Sequence, residues 1–254
     1  YTIFMSLWSA RRKIFYFTGA SLFLLVFIAL PVFLLIYRVP TCSDGKQNQD
    51  ETGIDCGGSC RAVCASVAIE PIVWWQRFFQ ISPGVYNMVA RVENSNVDSA
   101  AARAKYIFRL YDNANAVIAS REGETNIPSR QIFYIFEGSL STGERLPVKA
   151  TFEFIAPLNW VVEKTIAPFS IAGQILSKTS TTPRLDAILH NNSNNDVRNV
   201  EIVAVIFDVD GNAVNSSKTI IDIVPSESSA PFFFTWRQPF DQEPMRVEII
   251  PKLK

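Results

Sequence analysis

The sequence predicts a mainly β protein in which one N-terminal transmembrane helix is followed by two β-sandwich domains. A long uncharged apolar run lies near the N-terminus. Short apolar or alternating runs, separated by Asn, Asp, Gly, Ser and Pro, fill the chain from Val67 onward and are typical of strands. The order of these runs repeats after about 97 positions, which indicates two copies of one fold.

The uncharged run, residues 14–37, is long enough to cross a bilayer. At about 1.5 Å per residue it covers about 36 Å as a helix, more than the ~30 Å hydrocarbon core. A cleaved signal peptide has a shorter apolar region that ends in a small-x-small site, whereas this run ends in "LLIYRVPTC". A buried soluble helix would show a polar face, and none is present. We therefore predict a retained anchor, partnered by the lipid bilayer, in which Pro31 is tolerated as a kink.

The basic residues around this run predict its orientation. Arg11, Arg12 and Lys13 precede it and only Arg38 follows closely, so residues 1–13 are expected to be a cytoplasmic stub of a single-pass cell-membrane protein. Without these four cations the chain keeps 20 Lys and Arg against 24 Asp and Glu. A net charge of −4 does not favour nucleic acid as a partner.

All four cysteines lie just after the predicted anchor, in an extracytoplasmic loop over residues 38–66. Oxidising conditions outside the cell favour two disulfides, with three possible connectivities. A four-thiolate zinc site is the alternative, but gaps of 13, 3 and 3 residues do not form paired C-x2-C knuckles. The predicted disulfide residues are Cys42, Cys56, Cys60 and Cys64.

The same loop concentrates oxygen donors beside glycines. Calcium takes six to eight oxygen ligands, and calcium is the one cofactor that this pattern suggests. The loop does not match an EF-hand, and a solvated loop of tight Asp, Asn and Gly turns is the alternative. The candidate ligands are Asp44, Asn48, Asp50, Glu51 and Asp55.

The segment from Cys42 to Cys64 reads C-x-D-G-x-x-N-x-x-E-T-G-x-D-C-G-G-x-C-x-x-x-C. It resembles a short cysteine motif of bacterial exported proteins. The resemblance implies an envelope location and adds no catalytic role.

The strand-like runs divide into residues 67–160 and 161–254, with a boundary near Val161. Each copy has about 90 residues, the size of an immunoglobulin-like sandwich of about seven strands. The repeat aligns Asn94 with Asn192 and Asp112 with Asp208. Each aspartate is predicted to end a strand and to bind backbone amides of the following turn.

Residues Phe108 to Asp112 spell F-x-L-Y-D, and here the chain resembles the FxLYD family of small exported domains. The resemblance implies an immunoglobulin-like fold without a known active site. The second copy, Val205 to Asp208, departs from the motif at the tyrosine.

The sequence offers little material for catalysis. His190 is the single histidine and aligns with Val92 of the first copy, so we interpret it as a packing or surface residue and not as a base. No nucleophile-elbow, Walker or dinucleotide glycine pattern is present. We therefore predict a protein without catalytic residues that is not an enzyme.

The aromatic segment "VWWQRFFQ" has two interpretations. It could form an exposed patch for a partner or for the membrane interface, where Trp is favoured. It could instead be the first strand of the sandwich with its core anchors. The residues are Trp74, Trp75, Phe78 and Phe79.

Together these features predict a membrane-anchored structural or interaction protein that acts in surface adhesion or in assembly of an envelope complex. Its partners would be unidentified envelope or surface proteins. The alternative is a calcium- or ligand-sensing accessory subunit of an export or cell-wall machine.

Overall fold

The computed structural model describes residues 2–36, 41–155, 157–163 and 168–253. It confirms a mainly β chain with one apolar N-terminal helical segment. The helical segment comprises α1 (Thr2–Leu24), a π-helical turn (Leu25–Ala29) and α2 (Leu30–Ile36). The predicted anchor residue Tyr37, and Arg38 of the charge argument, lie outside the described residues.

The helical segment suits a membrane span. The most apolar 18-residue stretch within Arg11–Phe33 has a mean hydropathy of 2.1, and none of this stretch is buried within the protein. The π-helical turn ends at Ala29, two residues before Pro31, whose missing N–H and bulky ring disturb an α-helix. The helix continues beyond Pro31 to Ile36, so the proline is accommodated and does not end the segment.

The first set of strands forms two antiparallel sheets. One has the order β1-β2-β5 and the other β4-β3-β6, and the short β7 pairs with the start of β3. Apolar side chains from both sheets meet in a first core, with Met88 and Phe108 fully buried. The strands are β1 (Ile72–Ser82), β2 (Val85–Asn94), β3 (Ser99–Tyr111), β4 (Val117–Ile127), β5 (Gln131–Ser141), β6 (Lys149–Phe154) and β7 (Trp160–Val162).

The second set has the same arrangement. Sheet β8-β9-β12 corresponds to β1-β2-β5, and sheet β11-β10-β13 corresponds to β4-β3-β6. A second core lies between them and includes Leu189 and Ile202. The strands are β8 (Phe169–Ser177), β9 (Arg184–Asn191), β10 (Val197–Phe207), β11 (Ala213–Val224), β12 (Ser229–Thr235) and β13 (Arg246–Leu253).

The structure corrects the alignment of the two copies by one residue. Asn94 ends β2 and its buried amide donates to the carbonyls of Ser99 and Pro128. Asn191, not Asn192, ends β9 and donates to the carbonyls of Val224 and Pro225. His190 therefore corresponds to Glu93, and both face away from the core, because successive side chains of a strand point to opposite faces.

The aspartates of the repeated motif both close turns. Asp112 follows β3, and its carboxylate accepts the backbone N–H groups of Ala114 and Ala116 at 3.0 and 2.9 Å. Asp208 follows β10 and accepts those of Asp210 and Asn212 at 3.0 and 2.8 Å. Amide hydrogen bonds, opposed by partial desolvation and helped by Arg145, hold the pKa of Asp112 below its ordinary value.

The predicted boundary at residue 161 falls inside β7. Val161 pairs with Ala100 of β3, so it lies with the first set of strands. The second set begins at Phe169.

The two sandwiches pack face to face, so that four sheets lie in layers. Along β2, Met88 and Ala90 face the first core, whereas Val89 faces a third apolar cluster. Along β10, Ala204 faces the second core and Val205 faces the same third cluster. The order of layers is therefore β4-β3-β6, β1-β2-β5, β11-β10-β13 and β8-β9-β12, and three apolar cores separate them.

Candidate functional site: the collar and the contact between the sandwiches

The residues between the N-terminal helical segment and β1 form a cross-linked segment, residues 41–68, which we call the collar. Disulfides join Cys42 to Cys60 and Cys56 to Cys64, and no free cysteine remains. The predicted disulfides are thus confirmed. The four-thiolate zinc alternative is wrong, because the sulfurs are bonded to one another.

The predicted metal ligands mostly hold the collar backbone. Asp44 accepts the N–H of Lys46 at 3.0 Å and the side-chain amide of Asn48 at 2.9 Å. Desolvation opposes these hydrogen bonds, but together with the Thr41 N–H they keep the pKa of Asp44 below its ordinary value. Asp55 accepts the N–H groups of Asp44 and Gly45 at 2.9 to 3.1 Å. These contacts close the first turns of the collar.

The two remaining acids, Asp50 and Glu51, also accept hydrogen bonds within the collar. The Asp50 carboxylate accepts the hydroxyl of Ser59 at 2.9 Å, and the buried Glu51 accepts the N–H of Asn48 at 3.1 Å. Gly58, at φ +58°, passes so close to Asp50 that an added Cβ would lie 2.2 Å from the Asp50 carbonyl oxygen. Only glycine fits this approach.

The five predicted calcium ligands do not form one cluster. In the described part of the chain, the only group of three or more acidic, Cys or His residues whose ligand atoms lie within 4.8 Å of one another is Cys42, Glu51 and Cys60. Both of these cysteines are in a disulfide and are not available as thiolates. Calcium binding by the collar therefore stays a prediction.

The collar is attached to the first sandwich by backbone hydrogen bonds. Val63 donates to the carbonyl of Trp160 at 2.9 Å, and Val162 donates to that of Arg61 at 2.7 Å. Ala62 and Val161 form the bridge between them. The collar thus adds an antiparallel pairing to β7, which itself pairs with β3.

A second attachment lies at the end of the collar. The side chain of Asn96 accepts the N–H of Ile69 at 2.9 Å and donates to its carbonyl at 2.6 Å. Asn96 is buried and also binds Asn94. The segment from collar to β1 is therefore fixed at both ends.

The predicted aromatic patch is divided between three environments. Trp74 is 56% exposed, and its indole donates to Glu93 at 2.7 Å. Phe78 packs edge-to-face on Tyr86 in the first core. Trp75 and Phe79 pack against the third cluster. A β-bulge between Val73 and Trp75 causes this division, because it shifts the alternation of faces along β1.

The contact between the sandwiches has an apolar centre. It consists of three buried side chains from each unit, and the Trp75 ring packs 5.8 Å from Tyr134 and 6.3 Å from Phe207. Burial of this kind is worth about 1.5–3 kcal/mol for each large side chain. The six residues are Val89, Tyr134, Phe136, Val203, Val205 and Phe207.

Buried charges lie beside this centre. The Lys252 ammonium is 3.5 Å from Glu201 and also donates to Thr125 of the first sandwich. Lys218 is 3.3 Å from Glu201 and donates to the Phe136 carbonyl at 3.3 Å. Burial lowers the pKa of Lys252, and Glu201 opposes this shift. The pairing satisfies charges that would otherwise be costly to bury.

Sequence reasoning did not identify this contact. A signal was nevertheless present in the sequence: residues 202–207 of β10 read IVAVIF, an uninterrupted apolar run, and the structure buries all of residues 200–207. A wholly apolar strand is expected where both faces of a sheet are covered. The same holds for the "IFYIF" run in β5, where Tyr134 and Phe136 face outward from the first core.

His190 lies on the outer face of β9. Its Nδ1 is 2.9 Å from the hydroxyl of Ser229, its partner on β12. The two residues are cross-strand neighbours, as expected for a surface pair.

The comparisons with known proteins are weak. The sequence matches no family model and no curated protein. A red sea bream transglutaminase aligns with a TM-score of 0.23 at 10% identity, over 70% of this chain and 29% of its own. A family 2 glycosyl hydrolase from Bacteroides cellulosilyticus aligns with a TM-score of 0.24 at 10% identity, and the alignment covers 66% of this chain and 28% of the hydrolase. A family 2 β-glucuronidase aligns with a TM-score of 0.24 at 9% identity, and the alignment covers 85% of this chain and 29% of the glucuronidase. The chain spans less than a third of these proteins, and the scores carry no conclusion.

The class that follows from fold and site is a β-rich protein with one apolar helix suited to a membrane anchor. The two disulfides are typical of an oxidising compartment.

Proposed function

We propose that this chain is a single-pass, extracytoplasmic interaction protein of the cell envelope, with no catalytic role and no required cofactor. Its two sandwiches would be immunoglobulin-like units related to the FxLYD family. They would serve surface adhesion or the assembly of an envelope complex.

The observation that carries this proposal is the hydrogen-bonded pairing of the collar with β7. A flexible linker would leave the sandwiches free to rotate about the membrane anchor. Here two disulfides and the pairing of Ala62 with Val161 join residues close to the anchor to the first sheet. The third apolar cluster then fixes the second sandwich to the first. A protein that presents a surface at a set position benefits from such rigidity, because less freedom is lost on binding.

The orientation with an exposed C-terminal part is tested by labelling. An impermeant lysine reagent is applied to intact cells that produce the full chain, and the modified lysines are identified by mass spectrometry. We expect labelling of exposed lysines such as Lys178, as in opened cells. Lysines that react only after the cells are opened would invert the proposed topology.

The interaction role is tested by photo-crosslinking in the same cells. A photoreactive amino acid replaces Phe233, which is 52% exposed on β12. A second position, Trp74, is 56% exposed on the other sandwich and is replaced in a separate variant. We expect one defined envelope protein to be captured by at least one position. Exclusively intramolecular products at both positions would contradict the interaction role.

The accessory-subunit alternative would use the collar as a calcium sensor. It requires that calcium bind Asp44, Asn48, Asp50, Glu51 and Asp55, and its test is given in the Discussion.

A further inference from the structure

The end of the first sandwich at which the collar is attached, which we call the collar end, exposes several large apolar side chains. Ile72 on β1 and Ile132 on β5 pair with Glu93 on β2 from either side, so the three side chains share one face of the sheet. The indole of Trp74 donates to Glu93 and lies beside them. The exposed apolar residues of the collar end are Val67, Ile69, Ile72, Trp74, Val97 and Ile132, with exposed fractions from 36% to 65%.

The residues of this set that precede β1 and follow β2 are held at the same end. Val67 donates its N–H to the carbonyl of Cys64 at 2.9 Å, so it lies against the disulfide-bonded part of the collar. Both backbone polar groups of Ile69 are bound by Asn96, the neighbour of Val97. Apolar residues scattered singly over a surface are normal, but a set that covers one end of a domain indicates an interaction surface.

The length of the chain limits how far the collar end can lie from the helical segment. Thr41 is the fifth residue after Ile36, where α2 ends, and five residues span at most about 18 Å. The next residue, Cys42, is 5.6 Å from Cys60 between Cα atoms, and the neighbouring Arg61 binds β7 through its carbonyl. The point of attachment to β7 is therefore within about 30 Å of the end of the helix, even with the chain fully extended.

The opposite end of the sandwich is farther away. β3 runs from Ser99 at the collar end to Tyr111 at the opposite end, and its 13 residues extend over about 43 Å. The tether is shorter than the strand. The end of the helix can thus reach the collar end and not the opposite end, which makes a bilayer around the helix the nearest large apolar surroundings of the exposed residues.

The charges of the collar end do not form a basic patch. Attraction to anionic lipids requires a cluster of Lys and Arg, whereas acids outnumber bases here. An apolar contact with lipid does not need such a cluster, and Trp is favoured at the level of the headgroups. The charged residues around the exposed apolar set are Arg61, Glu70, Glu93, Asp98, Arg130 and Glu163.

We propose that the collar end of the first sandwich rests on the surface of the bilayer, with Val67, Ile69 and Val97 at the depth of the lipid headgroups. This inference rests on the single-pass anchor of the proposed function. It adds a second contact with the membrane, and this contact sets the tilt of the sandwiches relative to the bilayer. The contact is apolar and is made with zwitterionic lipid.

The test measures the distance of two matched positions from lipid headgroups. The full chain is placed in phosphatidylcholine nanodiscs at one chain per disc, so no second copy can cover the surface. Val97→Cys is labelled with a fluorophore, and since the native cysteines are all in disulfides, only the new thiol reacts. The quencher is a nitroxide on the headgroup of part of the lipid.

Val117→Cys is the matched control position. Val117 is 48% exposed, against 57% for Val97, and it pairs with Tyr111 at the opposite end of the sandwich. We expect quenching at position 97 to be at least threefold stronger than at position 117. Adding anionic phosphatidylglycerol should not increase it.

Ile69→Glu tests whether the contact is apolar. It places a charge beside the label at position 97 but leaves the backbone hydrogen bonds to Asn96 in place, so the Tm in detergent should not change. Quenching at position 97 should fall by at least half. Leu146→Glu is the control, because Leu146 is 69% exposed in the connection between β5 and β6 at the opposite end, and it should leave the quenching unchanged.

A third label separates failure of this contact from failure of the anchor. Leu25→Cys lies in the helical segment and is measured with nitroxides on the acyl chains. If position 25 is quenched and position 97 is quenched no more than position 117, the contact is wrong and the anchor stands. If position 25 is not quenched, the anchor and this inference both fail. Quenching at position 97 that Ile69→Glu leaves unchanged, or that requires anionic lipid, would also overturn the apolar contact.

Discussion

The hydroxyl of Tyr134 in the first sandwich donates a hydrogen bond to the carboxylate of Glu248 in the second. Desolvation raises the pKa of Tyr134, and the nearby Glu248 carboxylate raises it further. Desolvation opposes the effect on Glu248, but hydrogen bonds from Tyr134 and Arg246 hold its pKa below the ordinary value. The pair joins the two units beside the apolar cluster.

Tyr134→Phe is expected to reduce the free energy of unfolding by about 1.5–3 kcal/mol, the range for a hydrogen bond to a charged group. Urea unfolding in detergent measures the loss. Because the folded pKa of Glu248 is depressed, its contribution is present above the unfolded value of about 4.3 and is lost as the pH falls through the folded pKa. The free energy of unfolding of Tyr134→Phe should therefore fall less steeply at acid pH than that of the wild type. An unchanged profile would mean that the two groups do not interact in solution.

Glu201→Gln is expected to destabilise the protein by about 3–5 kcal/mol at neutral pH, because it leaves the Lys252 ammonium buried without its partner. The folded pKa of Lys252 is already lowered, so the unfolded chain binds more protons between the two pKa values. Stability should therefore rise with pH across that window, and more steeply in Glu201→Gln than in the wild type. The double variant Glu201→Gln/Lys252→Met removes both charges and should recover part of the loss. Equal stability of the single and double variants would contradict a buried pair.

Removal of the Cys42–Cys60 disulfide by paired serine substitutions should cost about 3 kcal/mol, as expected for a loop of this size. Limited proteolysis should then cut the collar before the sandwiches. Non-reducing mass spectrometry of the wild type should find Cys42 linked to Cys60 and Cys56 linked to Cys64. A different connectivity would show that the collar is built in another way.

Gly58→Ala should destabilise the collar by more than about 1–3 kcal/mol, since it adds a clash to an unfavourable backbone conformation. Gly143→Ala is the matched control, because Gly143 has a similar φ of +61° but open space around an added Cβ. The difference in Tm between the two variants isolates the close approach to the Asp50 carbonyl. If the two variants lose equal amounts of Tm, the positive φ alone accounts for the destabilisation and the close approach contributes nothing.

Asp55→Ala should lower the Tm of the protein, because the amides of Asp44 and Gly45 lose their acceptor. A loss of about 1–3 kcal/mol is expected, with or without calcium. The calcium hypothesis adds that millimolar calcium raises the Tm of the wild type and not that of Asp55→Ala. Identical Tm values with calcium and with chelator in the wild type would remove calcium from the collar.

Much of the architecture was predictable from the sequence because it depends on local patterns. The uncharged run 14–37 predicts the helix, the oxidised cysteines follow from their even number and close spacing, and the turn roles of Asp112 and Asp208 follow from their place after apolar strands. The shift by one residue between Asn191 and Asn192 shows the limit of such alignment. Two adjacent asparagines are equivalent as letters, and only strand pairing distinguishes them.

The division of the aromatic segment was not predictable in the same way. Trp74, Trp75, Phe78 and Phe79 look alike in sequence, but a bulge in β1 sends them to solvent, to the contact between the sandwiches and to the first core. Bulges depend on the partner strand, which the local sequence does not identify.

The sequence by itself determined the strand content, the apolar N-terminal helix and the oxidised collar, since hydrophobic period and residue spacing act over a few positions. Only the tertiary structure decided that the sandwiches stack in four layers, that Lys252 meets Glu201 and that Tyr134 meets Glu248. Those relationships join residues far apart in the chain, and they arise from the burial of outward-facing apolar strands against each other.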